Sequence, residues 1–353
     1  MGSLLLNGCG SDDPVRVNAD DWTLETVASG NLVGSHSSLT TSADGTIHIA
    51  YHDSPEKKII HAIRTSPGQW RHTLIDTIGW FGRSPVFEAG IGDTLHLAYK
   101  DMYHDNLRYA RYDGQSWIFE RLDPGRSFGS SIVMLVRSDG IHMLDMNIRS
   151  SQVNYWLGSL SNWNWTGSIY LSRAIASFDF SIGPNGPALV TILNPSSFNF
   201  LDNPLGASIL VLRTAPDSNG PWNQTVVTYI EGQPPSSPVL EFDGEGLLHI
   251  LYQDQNKVLY DYNIAVIDSK AERGVICLKK GLTGDLWLLH TNGSNLTLRH
   301  YTSGEGWKIK STIFGCRPTG QYDLHIDQNG LVHVSFYSST SAELLYGLWN
   351  GSP

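Results

Sequence analysis

The chain has 353 residues, of which 41% are hydrophobic, and its eleven Trp, fifteen Tyr and eleven Phe residues supply ample apolar area for a core. The formal net charge of −10 and the lack of a basic run argue against nucleic acid as a partner. No apolar run is long enough to cross a bilayer.

The first twenty residues resemble a targeting segment. A short apolar run, Leu4 to Leu6, precedes Asn7-Gly8-Cys9, which resembles the cleavage box of a bacterial lipoprotein but follows no basic region. An expression remnant would explain Met1 to Ser3 equally well. We expect residues 1–20 to be a poorly ordered leader or tag, with lipid anchoring through Cys9 if the protein is bacterial, and residues 21–353 to form one domain.

From residue 22 onwards the sequence predicts a repeated unit of four short antiparallel strands, A to D. Strand B carries a His after a Gly or Asp turn, and strand D opens on a Trp. Four strands per unit at a period in the forties are typical of β-propeller blades. The strand B anchors are His48, His96, His142, Leu189, His249, Trp287 and His333, and the strand D tryptophans are Trp70, Trp117, Trp165, Trp222 and Trp307.

The two ends of the chain predict how the ring closes. Trp22 to Val27 matches strand D, as in Trp117 to Leu122, whereas the chain finishes on a strand C, Glu343 to Leu348. The first strand should therefore complete the last blade and leave no exposed sheet edge. The prediction is an all-β, seven-bladed β-propeller with four antiparallel strands per blade.

The repeated unit resembles the BNR-type repeats of secreted, sialidase-like propellers, over nearly the whole chain. The Asp-box of that family is missing, since Ser42 to Ile47 comes closest and lacks the Trp. The resemblance implies a fold and not one chemistry, because this scaffold hosts glycosidases, polyuronate lyases, lectins and other enzymes.

Sequons and cysteines bear on the compartment. Five N-x-S/T sequons favour a secreted glycoprotein of a fungus over a bacterial protein, namely Asn164, Asn223, Asn292, Asn295 and Asn350. Cys277 and Cys316 flank one repeat and could form a disulfide or be two buried free thiols.

Two residues interrupt a column of the repeat. The position three residues after the His is aromatic in four blades, but Asp145 and His290 occupy it in two others. An ionisable group in a packed column costs free energy unless it is paired or used, so both are candidate catalytic residues. The alternative is that the weaker blades slip in register by one residue. The repeated His itself is expected to be a hydrogen-bonded core residue and not a metal ligand.

The loops between strands D and A and between strands B and C converge on one face of a propeller. Guanidinium groups on these loops could bind carboxylates by bidentate hydrogen bonds, or could form salt bridges to Asp53, Asp101 and Asp105. We expect one pocket at the channel mouth. Its candidate residues are Arg83, Arg126, Tyr103 and His104 for catalysis, and His36, His52, Trp80, Phe128, Arg173, Phe198, Phe200 and Arg317 for substrate binding.

Three classes of function fit such a pocket. We interpret it first as the site of a cofactor-free, metal-independent cyclisation of a polar, partly aromatic small molecule, similar in general form to fungal hetero-Diels–Alderase propellers. The alternatives are a polyuronate lyase or glycosidase acting on an anionic glycan, and a glycan-binding lectin; a protein-binding platform also fits the fold. The loops differ between blades, which favours one asymmetric site and hence an enzyme over a lectin. We expect the protein to be a monomer.

Overall fold

The computed structural model describes residues 3–5, 15–18, 21–77, 85–90, 94–101, 106–124, 131–147, 152–159, 163–170, 175–193, 208–217, 220–230, 237–254, 259–262, 264–269, 271 and 274–351. These residues form thirty strands and no helix. The described residues accordingly contain no helix that could span a membrane.

Seven four-stranded antiparallel sheets form the blades, and a two-stranded sheet precedes them. The small sheet pairs β1 (Ser3–Leu5) with β2 (Arg16–Asn18), and β3 (Trp22–Ser29) follows. Blade one contains β4 (Val33–Thr41), β5 (Ile47–Asp53), β6 (Lys58–Ser66) and β7 (Gln69–Thr77). Blade two contains β8 (Val86–Ala89), β9 (Leu95–Asp101), β10 (Asn106–Tyr112) and β11 (Trp117–Pro124). Blade three contains β12 (Ile132–Arg137), β13 (Gly140–Asn147), β14 (Gln152–Gly158) and β15 (Trp163–Tyr170).

The remaining blades continue the same order. Blade four contains β16 (Ile175–Gly183), β17 (Gly186–Leu193), β18 (Ser208–Thr214) and β19 (Asn223–Ile230). Blade five contains β20 (Val239–Phe242), β21 (Leu248–Gln253), β22 (Leu259–Asp261) and β23 (Ala265–Asp268). Blade six contains β24 (Ile276–Lys280), β25 (Leu286–Asn292), β26 (Asn295–Thr302) and β27 (Gly306–Ile313). Blade seven contains β28 (Asp323–Ile326), β29 (Val332–Ser338) and β30 (Glu343–Trp349), and β3 completes it.

The ring closes as the two ends of the sequence predict. The strand β3 pairs with β30 in antiparallel register, and each inner strand contacts the inner strand of the next blade, including β28 with β4. The Glu25 carboxylate of β3 forms a bidentate ion pair with Arg64 of blade one, whose Nη2 and Nε atoms donate at 2.5 and 2.9 Å. On the other side, the Trp22 Nε1 atom donates to Ser311 of blade six. The first strand therefore ties blade seven to both of its neighbours.

The repeated His of strand B is a hydrogen-bonded core residue, as expected. In five blades the Nδ1 atom of this His contacts a polar side chain on strand C. The strand C residue that carries it pairs with the residue two positions after the His. Burial lowers the pKa of His48 and of His96 to about 4, so both are uncharged at neutral pH. The five pairs are His48–His61 (2.9 Å), His96–Tyr109 (2.5 Å), His142–Tyr155 (2.6 Å), His249–Asp261 (2.6 Å) and His333–Tyr346 (2.8 Å).

The strand D tryptophans of blades one to three pack on the strand C partner of the preceding blade. The rings of Trp70, Trp117 and Trp163 lie 5.5, 5.3 and 4.7 Å from those of Tyr346, His61 and Tyr109, respectively. The sequence prediction of Trp165 for blade three is thus wrong by two residues. Trp163 pairs with Gly158, as Trp117 pairs with Tyr112 in blade two, and so stands at the repeated position.

The register also corrects the anchor of blade four. Ser181 pairs with Ala188, as Leu135 pairs with His142, so Ala188 and not Leu189 stands at the histidine position. The position three residues after the histidine position has equivalent strand pairing in blades two and three, since Asp145 pairs with Asn154 as Tyr99 pairs with Arg108. His290 pairs with Thr297 in the same register, so for Asp145 and His290 the alternative of a one-residue slip is wrong.

The N-terminal segment and the cysteines occupy the seam between blades six and seven. Val15 is 1% exposed and lies in the same apolar cluster as Trp22 and Cys316. Both thiols are free: Cys277 contacts the Tyr322 carbonyl oxygen, and Cys316 contacts those of Ser294 and Ile313. Whether residues 1–20 act as a leader stays a prediction.

Candidate functional site

Most of the predicted channel-mouth residues lie outside the described residues. They are Trp80, Arg83, Tyr103, His104, Arg126, Phe128, Arg173, Phe198 and Phe200. Arg317 is described and exposed, and its backbone joins the strand B–C turns of blades six and seven through Ser294 and Ser339, at 2.8 Å each. It therefore lies on the predicted face, and its role there stays a prediction.

Asp145 forms part of a buried polar cluster between blades two and three. Its carboxylate is 0% exposed and accepts a 2.8 Å hydrogen bond from the Trp156 indole and longer ones from Asn154. The Lys100 ammonium, which is also buried, lies 3.7 Å away on the neighbouring blade. These contacts stabilise the blade interface, because a buried carboxylate needs hydrogen bonds and a counter-charge.

His290 has a comparable setting between blades five and six. Its Nδ1 atom donates to the Thr291 carbonyl oxygen at 3.1 Å, and its Nε2 atom accepts from the Arg299 guanidinium at 3.0 Å. Arg299 in turn contacts Asp268 of blade five at 2.9 Å. Burial, with the Arg299 charge second, lowers the pKa of His290 to about 4. Both ring nitrogens take part in hydrogen bonds, so the geometry favours a structural role for His290 over proton transfer.

The other described candidates lie apart from these clusters. His52 is buried and its Nδ1 atom contacts Ser54, whereas half-buried His36 contacts Ser35. Among the sequons, Asn223 and Asn350 are exposed, Asn164 is in β15, and Asn292 and Asn295 use their side chains in hydrogen bonds to Asp268 and from Gly315. Glycosylation of any of them stays a prediction.

A groove lies on the opposite face, between blades five and six. It is a cavity of about 280 Å³ formed by the strand A–B turns of both blades and the strand C–D turn of blade six. The lining is polar and includes three carboxylates and three aliphatic hydroxyl groups. The lining residues are Asp243, Gly244, Glu245, Thr283, Gly284, Asp285, Tyr301, Thr302 and Ser303.

Two glycines bring the turns together at the base of this groove. Gly284 has a φ of +87°, and a Cβ atom there would lie 2.3 Å from the Cα of Gly244. The Gly244 amide donates to the Gly284 carbonyl oxygen at 2.7 Å. Only residues without a side chain allow this approach, since both the positive φ and the contact exclude a Cβ atom.

Asp243 and Asp285 are fixed within their own turns. Asp243 accepts from the amides of Glu245 and Leu247, at 2.9 and 2.8 Å. Asp285 accepts from the Thr283 hydroxyl and contacts His300 Nε2, each at 2.6 Å. Although burial acts in the opposite direction, these hydrogen bonds lower the pKa of Asp285 below its usual value. Asp285 therefore carries a negative charge at neutral pH.

Tyr301 and Glu245 remain available to a ligand. Tyr301 is 7% exposed, its ring packs 4.5 Å from that of His249, and its hydroxyl makes no hydrogen bond within the described part of the chain. Burial, together with the charges of Asp243, Asp261 and Glu245, raises the pKa of this hydroxyl. Glu245 is exposed, and no cation pairs with its carboxylate among the residues described. A hydroxyl and a carboxylate that both lack partners among the described residues are typical polar anchors of a binding site.

A second polar cluster lines the axial channel. Lys279 of blade six contacts Glu88 of blade two at 3.2 Å, across the ring. Asp179 of blade four accepts a hydrogen bond from the Leu240 amide at 2.9 Å, and burial raises its pKa to about 7. Neither this cluster nor the rest of the described chain gathers three or more His, Cys, Asp or Glu side chains in a metal-binding arrangement.

The groove was not predicted, because the sequence directed attention to the loops of the other face. One signal was present: Asp243-Gly244-Glu245-Gly246 is the most acidic of the strand A–B turns. The contribution of Tyr301 depends on contact between blades five and six, which a repeat alignment does not show.

No protein-family model matches the sequence, and a search of the curated proteins finds no match. Solved structures do match. AofleA from Arthrobotrys oligospora is 12% identical, with a TM-score of 0.52 over 82% of this chain and 89% of that one. The fucose-specific lectin from Aleuria aurantia is 15% identical, with a TM-score of 0.52 over 83% and 100%. BBS1N, solved in complex with ARL6DN, is 13% identical, with a TM-score of 0.56 over 93% and 95%. At these identities the likeness shows the β-propeller fold alone.

Proposed function

We propose that the protein is a carbohydrate-binding propeller whose glycan site is the groove between blades five and six. The observation that carries the proposal is Tyr301, which lines the groove and whose hydroxyl has no hydrogen-bond partner among the described residues. The likeness to a fucose-specific lectin of propeller fold makes glycans the ligand class to test first.

The chemistry of the groove suits sugar hydroxyls. A carboxylate accepts hydrogen bonds from them, and these charge-assisted bonds are stronger than neutral ones. The hydroxyls of Tyr301, Thr302 and Ser303 can donate or accept, which matches a ligand that does both. The cavity of about 280 Å³ has room for a sugar ring.

A single site agrees with the differences between blades. In blade six, Trp287 replaces the repeated His, and His300 lies directly opposite it, stacked at 4.2 Å. This exchange places His300 against Asp285, at the wall of the groove. The variation between blades, which first favoured an enzyme, is equally compatible with a binding protein that has one site.

The cyclisation and lyase interpretations depend on loops that lie outside the described residues. No contact among the described residues favours either of them, and they stay predictions, as does secretion.

The direct experiment is a glycan array probed with the full chain, with fucosides included. Tyr301→Phe removes one hydroxyl and should weaken binding of each hit by about three- to tenfold, the equivalent of one hydrogen bond. The matched control is Tyr112→Phe, because Tyr112 occupies the same repeat position in blade two and its hydroxyl donates to the Gly114 carbonyl oxygen of its own turn. The absence of any hit, or equal losses in both variants, would overturn the proposal.

A further inference from the structure

We infer, on the basis of the proposed carbohydrate site, that the groove selects glycans bearing a free, protonated amine over N-acetylated or acidic glycans. The ligand class is an amino sugar, or an oligosaccharide of amino sugars.

The charge of the lining points to a cation. Asp243, Glu245 and Asp285 are its ionisable carboxyl groups, and none of the nine lining residues is Lys or Arg. Lys280 lies at the edge, where its Nζ atom donates to the Asp243 carbonyl oxygen at 2.8 Å. Its charge leaves two carboxylates in excess. Such a site attracts an ammonium group and repels a uronate or a sialate.

Hydrogen-bonding capacity points the same way. An ammonium group has three donors and no acceptor, so it needs oxygen atoms that the protein has not already used. Asp243 and Asp285 accept from their own turns, whereas the described residues leave the Glu245 carboxylate and the Tyr301 hydroxyl without hydrogen bonds. An amine held between Glu245 and Tyr301 would use both. N-acetylation removes the charge and two of the three donors, so it should weaken binding at this position.

The test is calorimetric titration of the full chain with a glucosamine trimer and with its N-acetylated counterpart. At low salt the amine form should bind at least fivefold more tightly, and the advantage should shrink as salt screens the charges. Glu245→Gln keeps the shape of the side chain and should reduce the advantage by about three- to fivefold. The control is Glu56→Gln, since Glu56 is exposed on a strand B–C turn of the opposite face.

The outcomes separate this inference from the proposed function. Equal affinity for both trimers, together with a loss in Tyr301→Phe, would overturn the amine preference and leave the carbohydrate site standing. An amine advantage that is undiminished in Glu245→Gln would also overturn it, because the selecting charge would then come from elsewhere. Failure of every glycan to bind would overturn both.

Discussion

Replacing Lys100 by Met tests whether Asp145 is a structural clamp. The Lys100 side chain is 1% exposed and the Asp145 side chain 0%, and their charges lie 3.7 Å apart. Lys100→Met keeps the length of the side chain but leaves a buried carboxylate without its cation. Breaking a buried pair in this way costs about 3–5 kcal/mol. For a chain of this length, that corresponds to a fall in melting temperature of ~5 °C.

The assay is thermal unfolding of the single variant and of the double variant Lys100→Met/Asp145→Asn, at pH 8. The neutral double variant retains an acceptor for Trp156 and should recover most of the loss. A single variant as stable as the parent at pH 8, or a double variant less stable than the single one, would refute the reasoning.

Three further predictions concern stability. Asp179→Asn should stabilise the protein at pH 8 and not at pH 4. Because the pKa of Asp179 is raised to about 7 in the folded state, the folded protein holds a proton that the unfolded chain releases. The free energy of unfolding of the parent therefore falls between about pH 4 and 7. Gly284→Ala should cost more than Gly114→Ala in chemical unfolding, since both glycines have a positive φ but only Gly284 would bring its Cβ against backbone; strain alone costs about 1–2 kcal/mol. Deleting residues 1–28 removes Trp22 and Glu25 and should lower the melting temperature by more than Trp22→Ala, which alone costs about 3–5 kcal/mol; a truncated chain with an unchanged melt would contradict the closure.

The architecture was predictable because its signals are local and repeated. A Gly turn, a His in strand B and a Trp in strand D recur along the chain, and the first strand matches the strand that the last blade lacks. The errors arose where the spacing alone left two choices. Trp163 and Trp165 both fit the repeat, and the pairing of Trp163 with Gly158 decides between them.

The candidate site was less predictable because it depends on contacts between blades. Asp145 and His290 were singled out correctly as polar interruptions of an apolar column. Their partners Lys100 and Asp268 come from neighbouring blades, and these contacts give both residues structural surroundings that the column alone does not reveal. Similarly, nothing in the sequence near Tyr301 indicates that its ring packs on His249 of blade five.

The central claim is that a glycan occupies the groove between blades five and six. The most direct measurement is a crystal structure of the full chain grown with the tightest-binding oligosaccharide from the array. The account predicts a sugar ring within hydrogen-bond distance of the Tyr301 hydroxyl and the Glu245 carboxylate. A ligand bound instead on the opposite face, beside Arg317, would contradict it.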